Sequence, residues 1–209
     1  MTATIGITGG LGSGKSLVVS LLETYDMPSY VADRESKRLT ATLPAIRERL
    51  TGLLGEEIYD ANGLNRRRMA SLIFRDPSLL AQVQAIIHPE VARHFREWVS
   101  RQTAPYAVLE SAILFESGFD RLVDWRVTVY APGALRLQRV MARDGLTEAD
   151  VLRRMENQWP DEVKKAKSDY VILNDGRQAL IPQTERFVEF IAGKQASAPD
   201  IFPDRNVSD

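Results

Sequence analysis

The chain has 209 residues, 44% of them hydrophobic and 26% charged, which is ordinary for a folded domain and too apolar for a disordered chain. With 27 basic against 28 acidic residues there is no global field to hold nucleic acid, so a bound anion needs a local site. The absence of cysteine excludes disulfides, zinc-thiolate centres and thiol nucleophiles; no signal peptide or membrane-length apolar run is visible, and a soluble cytoplasmic protein is expected.

In chain order, Thr4–Thr8 is short, apolar and β-branched, and reads as a buried strand. A glycine cluster follows, and helical periodicity starts at Lys15, with Leu17, Val18, Leu21 and Leu22 on one face. Pro28–Asp33 reads as a second strand, with a helix after it. The stretch from Pro44 to Ser100 is helical throughout, broken at Asn62-Gly63 and His88-Pro89. Strands return at Tyr106–Glu110, Val127–Tyr130 and Tyr170–Leu173. Two arginine-rich helices, Ala134–Arg143 and Glu148–Gln158, lie between the last two, the second opened by a capping box at Thr147. Alternating strands and helices predict an α/β fold with a parallel sheet covered on both faces. The long helical stretch exceeds a simple crossover and reads as an inserted subdomain, about 34–103. The arginine-rich excursion spans about 134–166. One domain is expected over 1–193, with a flexible tail at 194–209.

The strongest motif is Gly9-Gly10-Leu11-Gly12-Ser13-Gly14-Lys15-Ser16, which fits G-x-x-x-x-G-K-[ST] between a strand and a helix. Its glycines let consecutive N–H groups point inward, and the helix adds its free N–H groups and positive dipole end. Lys15 can reach the β- and γ-phosphates, and the Ser16 hydroxyl can bind Mg²⁺. A GTPase base-reading motif is missing, and the Walker B strand ends in one carboxylate, Glu110, so a small-molecule kinase fits best. At 100° per residue Arg136, Arg139 and Arg143 fall within about 60° of one another on a helix, as suits a lid closing over phosphates. A solvated basic face paired with Asp144, Glu148 and Asp150 is the plain alternative. Asp33, at the carboxyl end of the second strand, is the candidate to orient or deprotonate an acceptor hydroxyl; it also reads as an N-cap. Glu110, Glu116 and Asp120 are weaker rivals. His88 reads as a structural imidazole or a substrate contact, and His94 as a solvated helix residue.

These residues, taken in order, resemble the dephospho-CoA kinase family from about Ile5 to Phe190. Ile7–Ser16 is similar to the family's T-G-G-x-G-S-G-K-S, and Asp33 stands where the family places its proposed catalytic aspartate. Gly63–Arg66 with Ile73-Phe74, Ile87-His88-Pro89, Ile113–Glu116, Arg139–Asp144 and Asp169–Gly176 resemble its further motifs. The chain departs from the pattern at Leu17, often Thr, at Val31, often a second Asp, and at Ala112, often Pro. The resemblance implies a P-loop NTPase three-layer fold with five parallel strands, a helical CoA-binding insert and a lid. It implies transfer of the γ-phosphoryl group of ATP to the ribose 3′-hydroxyl of dephospho-CoA, with Mg²⁺. Asp33, Lys15 and Arg139 would act catalytically, Arg139 clamping the transferring group. Leu11, Gly12, Ser13, Gly14, Lys15, Ser16, Leu17 and Arg143 would hold ATP, and Arg66, His88, Leu114 and Glu116 the acceptor. No nucleic-acid or membrane partner is expected, and a monomer or weak homo-oligomer is. Two other readings stay open: a P-loop kinase for another acceptor, and a nucleotide-responsive binding protein without turnover.

Overall fold

The structure, a computed structural model, describes residues 2–60, 63–73 and 76–196, with side chains to 193. Asn62, Phe74 and the expected tail beyond 196 lie outside the described residues. Five parallel strands form the central sheet: β1 (Ala3–Thr8), β2 (Ser29–Val31), β5 (Tyr106–Glu110), β6 (Trp125–Tyr130) and β7 (Tyr170–Leu173), in the order β2-β5-β1-β6-β7. Ile5 lies opposite Val108 on one side and Trp125 on the other, so β1 is central and buried on both faces. The chain leaves β1 for one flank (β2, β5) and later for the other (β6, β7). The loop after β1 therefore opens at the topological switch point, where open α/β sheets bind ligands.

Alternation along the strands divides the apolar residues between two layers. Ile5, Ile7 and Val108 face α1 (Lys15–Glu23) and α9 (Leu180–Ala196), packing with Val18, Leu22, Phe187 and Ile191. Leu109 faces the other way, with Leu114 and the apolar residues of the insert. Gly6 makes this second face possible, because a side chain there would meet Leu114 and Val123 at 2.9 Å.

The insert comprises α2 (Ala32–Thr42), α3 (Pro44–Leu54), a two-stranded antiparallel ribbon of β3 (Tyr59–Asp60) and β4 (Gly63–Leu64), α4 (Arg66–Ile73) and α5 (Pro77–Val99). Of the two expected breaks in its helical periodicity, the one at Gly63 is present and takes the form of the β3–β4 ribbon, with Gly63 at φ 100°. The expected break at His88-Pro89 is absent, and α5 runs unbroken through Pro89. An interior proline forfeits a hydrogen bond to Ala85 and costs about 3 kcal/mol. Burial of Val83, Ile86, Ile87, Val91 and Phe95 along the same helix offsets it.

The second strand is also shorter than expected, ending at Val31. The second excursion holds α6 (Gly133–Asp144), α7 (Glu148–Glu156) and α8 (Asp161–Lys167), the last unforeseen. Thr147 caps α7 as predicted, accepting from the Asp150 N–H at 3.3 Å. Leu17, expected on the buried face of α1, is 54% exposed; Val18, Val19 and Leu22 form that face.

Candidate active site

The loop Gly9–Gly14 turns back over the end of β1 with Gly9, Gly12 and Gly14 at φ 145°, 81° and 92°. A side chain at Gly9 would strike the Val129 carbonyl, and one at Gly14 the Asn174 amide, so glycine is required for space as well as for backbone angle. Lys15 Nζ donates to the Gly9 carbonyl at 3.0 Å and the Gly10 carbonyl at 3.4 Å. Burial holds the Lys15 ammonium below its ordinary pKa, against the opposing charges of Glu110 and Asp33. Ser16 Oγ donates to Glu110 Oε1 at 2.9 Å. Glu110 closes β5, beside β1, and is nearly buried. The sequence ranked it below Asp33, yet its signal was there as the single carboxylate ending the strand.

Asp33 falls in the first turn of α2, one residue into the helix, and is exposed. Val31 occupies the N-cap and no side chain caps this helix, so the N-cap reading of Asp33 is wrong. The reason is the short edge strand, which hands Ala32 to the helix. Asp33 lines a small cavity with Ser36, His88, Ser111 and Phe119. His88 and Phe119 also line a larger groove of about 410 Å³, so the two spaces adjoin. Their rings meet edge-on with centroids 5.6 Å apart, and burial lowers the His88 pKa from 6.5. His94 is not a solvated residue: it is half-buried, 2.9 Å from the Tyr30 hydroxyl and 3.0 Å from Arg38.

Three other acceptor candidates sit elsewhere. Leu114 is fully buried behind the sheet, a core residue. Arg66 is exposed at the start of α4 and lines neither cavity. Glu116 is held by the lid, paired with Lys164 Nζ at 2.8 Å and accepting from the Trp159 N–H at 2.9 Å. Lys164, 0% exposed, also donates to the Ala112 carbonyl at 2.6 Å. A buried ammonium needs such partners, and Glu116 supplies the charge.

The three arginines expected on a lid part company. Arg136 is the one on the P-loop: Nη1 donates to the Leu11 carbonyl at 3.2 Å and Nη2 pairs with Asp161 at 2.7 Å. Both partners of this pair are largely buried, at 13% and 7% exposure, and Arg136 Nε and Asp161 Oδ1 lack hydrogen-bond partners among the described residues. Gln158 Oε1 accepts from the Leu11 N–H at 2.9 Å. Arg139 reaches the Asn174 carbonyl and Oδ1 at 3.1 and 3.3 Å, and Asn174 Nδ2 donates to the Ser13 carbonyl at 2.9 Å. Arg143 turns outward to Asp144 and is 63% exposed, away from the P-loop residues it was expected to join.

A Gly-rich anion cradle at the switch point, a lysine and hydroxyl beside a strand-end carboxylate, and a second carboxylate on a nearby cavity define a P-loop phosphotransferase. The comparisons make this specific. The dephospho-CoA kinase family profile matches residues 3–179. The chain is 44% identical over 195 residues to a dephospho-CoA kinase of Bacteroides fragilis, covering 93% of this chain and 95% of the relative. It is 42% identical over 198 residues to one from Porphyromonas gingivalis, covering 94% and 98%. Among solved structures, TT1252 from Thermus thermophilus superposes with a TM-score of 0.79 at 35% identity, over 92% of this chain and 97% of that one. A shikimate kinase from Acinetobacter baumannii, TM-score 0.54 at 19% identity over 93% and 96% of the chains, shares the fold alone. The chain belongs to the dephospho-CoA kinase family.

Proposed function

We propose that this chain transfers the γ-phosphoryl group of ATP to the ribose 3′-hydroxyl of dephospho-CoA, giving coenzyme A and ADP in the last step of CoA biosynthesis. One observation carries the mechanism: Asp33 lies within the electrostatic reach of Lys15 and on a cavity that shares His88 and Phe119 with a basic groove. The 3′-hydroxyl oxygen bonds to the γ-phosphorus as the bond to the ADP oxygen breaks, and the hydroxyl proton passes to the Asp33 carboxylate. The N–H groups of Gly12, Gly14, Lys15 and Ser16, which take no acceptor among the described residues, hold the phosphates together with the Lys15 ammonium, and the phosphate charge favours the ammonium form that burial alone disfavours. Arg136 lies over the loop, and Arg139, fixed by Asn174, stands beside Ser13.

Mg²⁺ fits the donor set. Ser16 Oγ and Glu110 Oε1 are hard oxygen donors 2.9 Å apart, and Mg²⁺ is commonly held by one or two protein oxygens with substrate phosphates. When bound it would neutralise charge on the β- and γ-phosphates. Among the described residues no helix is long and apolar enough to cross a membrane. The reading places a cytoplasmic enzyme on two small molecules, ATP and dephospho-CoA.

Asp33→Asn tests the assignment. The variant keeps the shape and removes the base, so kcat should fall ~10²–10⁴-fold with little change in either KM. The wild-type product should carry its new phosphate at the ribose 3′ position, with adenosine and AMP poor acceptors. Wild-type kcat in Asp33→Asn would remove Asp33 from the chemistry, and AMP turned over at a comparable rate would make the chain a nucleotide kinase.

A further inference from the structure

The groove beside the Asp33 cavity has a charge pattern that no ion pair among the described residues balances. Arg96, from α5, and Arg121, from the short 3₁₀ turn Phe119–Leu122, both line it. Among the described residues neither guanidinium has an ion pair or side-chain hydrogen bond, and none of the groove's described lining residues is acidic. This is unlike the lid, where Arg136, Arg139 and Arg143 each have an acceptor. Two uncompensated guanidinium groups on one concave surface repel each other, and an anion with several oxygens removes that repulsion. Arginine's planar fork suits phosphate oxygens two at a time. The remaining wall, Ala85, Pro89, Ala92 and Leu122, is apolar and gives such an anion a partly desolvated seat.

We infer that Arg96 and Arg121 form a diphosphate clamp for the acceptor, seating the 5′-diphosphate of dephospho-CoA while its 3′-hydroxyl enters the Asp33 cavity. The inference rests on the proposed reaction and adds its specificity determinant. His88 and Phe119 line both spaces, so a ribose seated beside them would reach from groove to cavity. The clamp selects acceptors that carry a diphosphate on the 5′ carbon, and adenosine, which lacks one, gains nothing from it. Positioning of this kind costs most when it is lost from the acceptor's ground-state binding, so the effect falls on the acceptor KM.

The experiment compares wild type with Arg96→Ala, Arg121→Ala and the double variant, using ATP with dephospho-CoA or adenosine. Both side chains are exposed, and thermal melting confirms that each variant folds. A charge-assisted hydrogen bond is worth ~1.5–3 kcal/mol, so each single variant should raise the dephospho-CoA KM ~10–100-fold, and the double variant more. The ATP KM should stay within about two-fold, and the preference for dephospho-CoA over adenosine in kcat/KM should shrink by the same factor as the KM rises. Arg→Lys at both positions should recover part of the affinity, since charge remains and the fork is lost. Wild-type turnover of dephospho-CoA with an unchanged KM in the double variant overturns the clamp and leaves the reaction standing. A common fall in kcat with both substrates, or an equal rise in the ATP KM, also overturns it, because that pattern marks a structural role. Wild type that fails to phosphorylate dephospho-CoA overturns the proposed reaction itself.

Discussion

The α6–α8 excursion and the groove between α5 and Phe119–Leu122 both carry arginines and treat the charge in opposite ways. Between α6 and α8, Arg136, Arg139, Arg143 and Lys164 already have protein partners in Asp161, Asn174, Asp144 and Glu116. In the groove Arg96 and Arg121 have none among the described residues. A paired, buried cation holds two chain segments in register and must exchange partners before it can meet a phosphate. An unpaired one at a concave surface meets an incoming anion with nothing to displace. Under the proposed function, ATP would have to displace Asp161 from Arg136, while an acceptor anion in the groove would meet Arg96 and Arg121 with nothing to displace.

Asp161→Asn should give the largest break in this comparison. It removes one partner of a largely buried pair and leaves Arg136 uncompensated, which typically costs about 3 kcal/mol. ATP should restore that partner, so nucleotide should raise the Tm of the variant by more than it raises that of the wild type. Equal ATP-induced shifts in a thermal-melting series would show that Arg136 does not change partner.

A smaller effect should come from His88, between groove and cavity. Burial lowers its pKa below the 6.5 of the unfolded chain, so the unfolded state binds the extra proton first as pH falls. Its contribution to stability is present above pH 6.5 and is lost as pH drops from there through the folded value. His88→Gln should flatten the wild-type slope of unfolding free energy in that window, and urea titrations at several pH values would reveal it. Identical slopes would mean the imidazole is solvated in the fold. Smallest of all, Arg143→Ala should leave Tm and kcat alike unchanged, because its partner Asp144 is on the same exposed helix end. A clear drop in kcat would place Arg143 at the phosphates after all, as its helical phase predicted.

The strands, the P-loop and the family's ordered motifs were legible in the sequence because each is a local signal. Glycine content, β-branched runs and a lysine-serine pair at a strand–helix junction report on neighbouring residues only. All five strands were placed to within two residues at each end, and the lysine that starts α1 was placed correctly. The tertiary structure decided what depends on distant partners. Glu110 meets Ser16 across 94 positions, and Arg136 reaches Leu11 across 125. Helical phase set Arg136, Arg139 and Arg143 on one side of α6, yet each found a different acceptor, because the packing of α6 against Gly12 and of α8 against β6 fixes which one is near. The continuity of α5 through Pro89 was likewise outside local reach, since burial along the whole helix outweighs one lost hydrogen bond. Sequence by itself determined the chemistry the chain carries, because reactive groups and their immediate backbone are neighbours in the chain. Which charges are already satisfied, and which face a ligand, only the fold could decide, because a counter-ion is defined by distance in space.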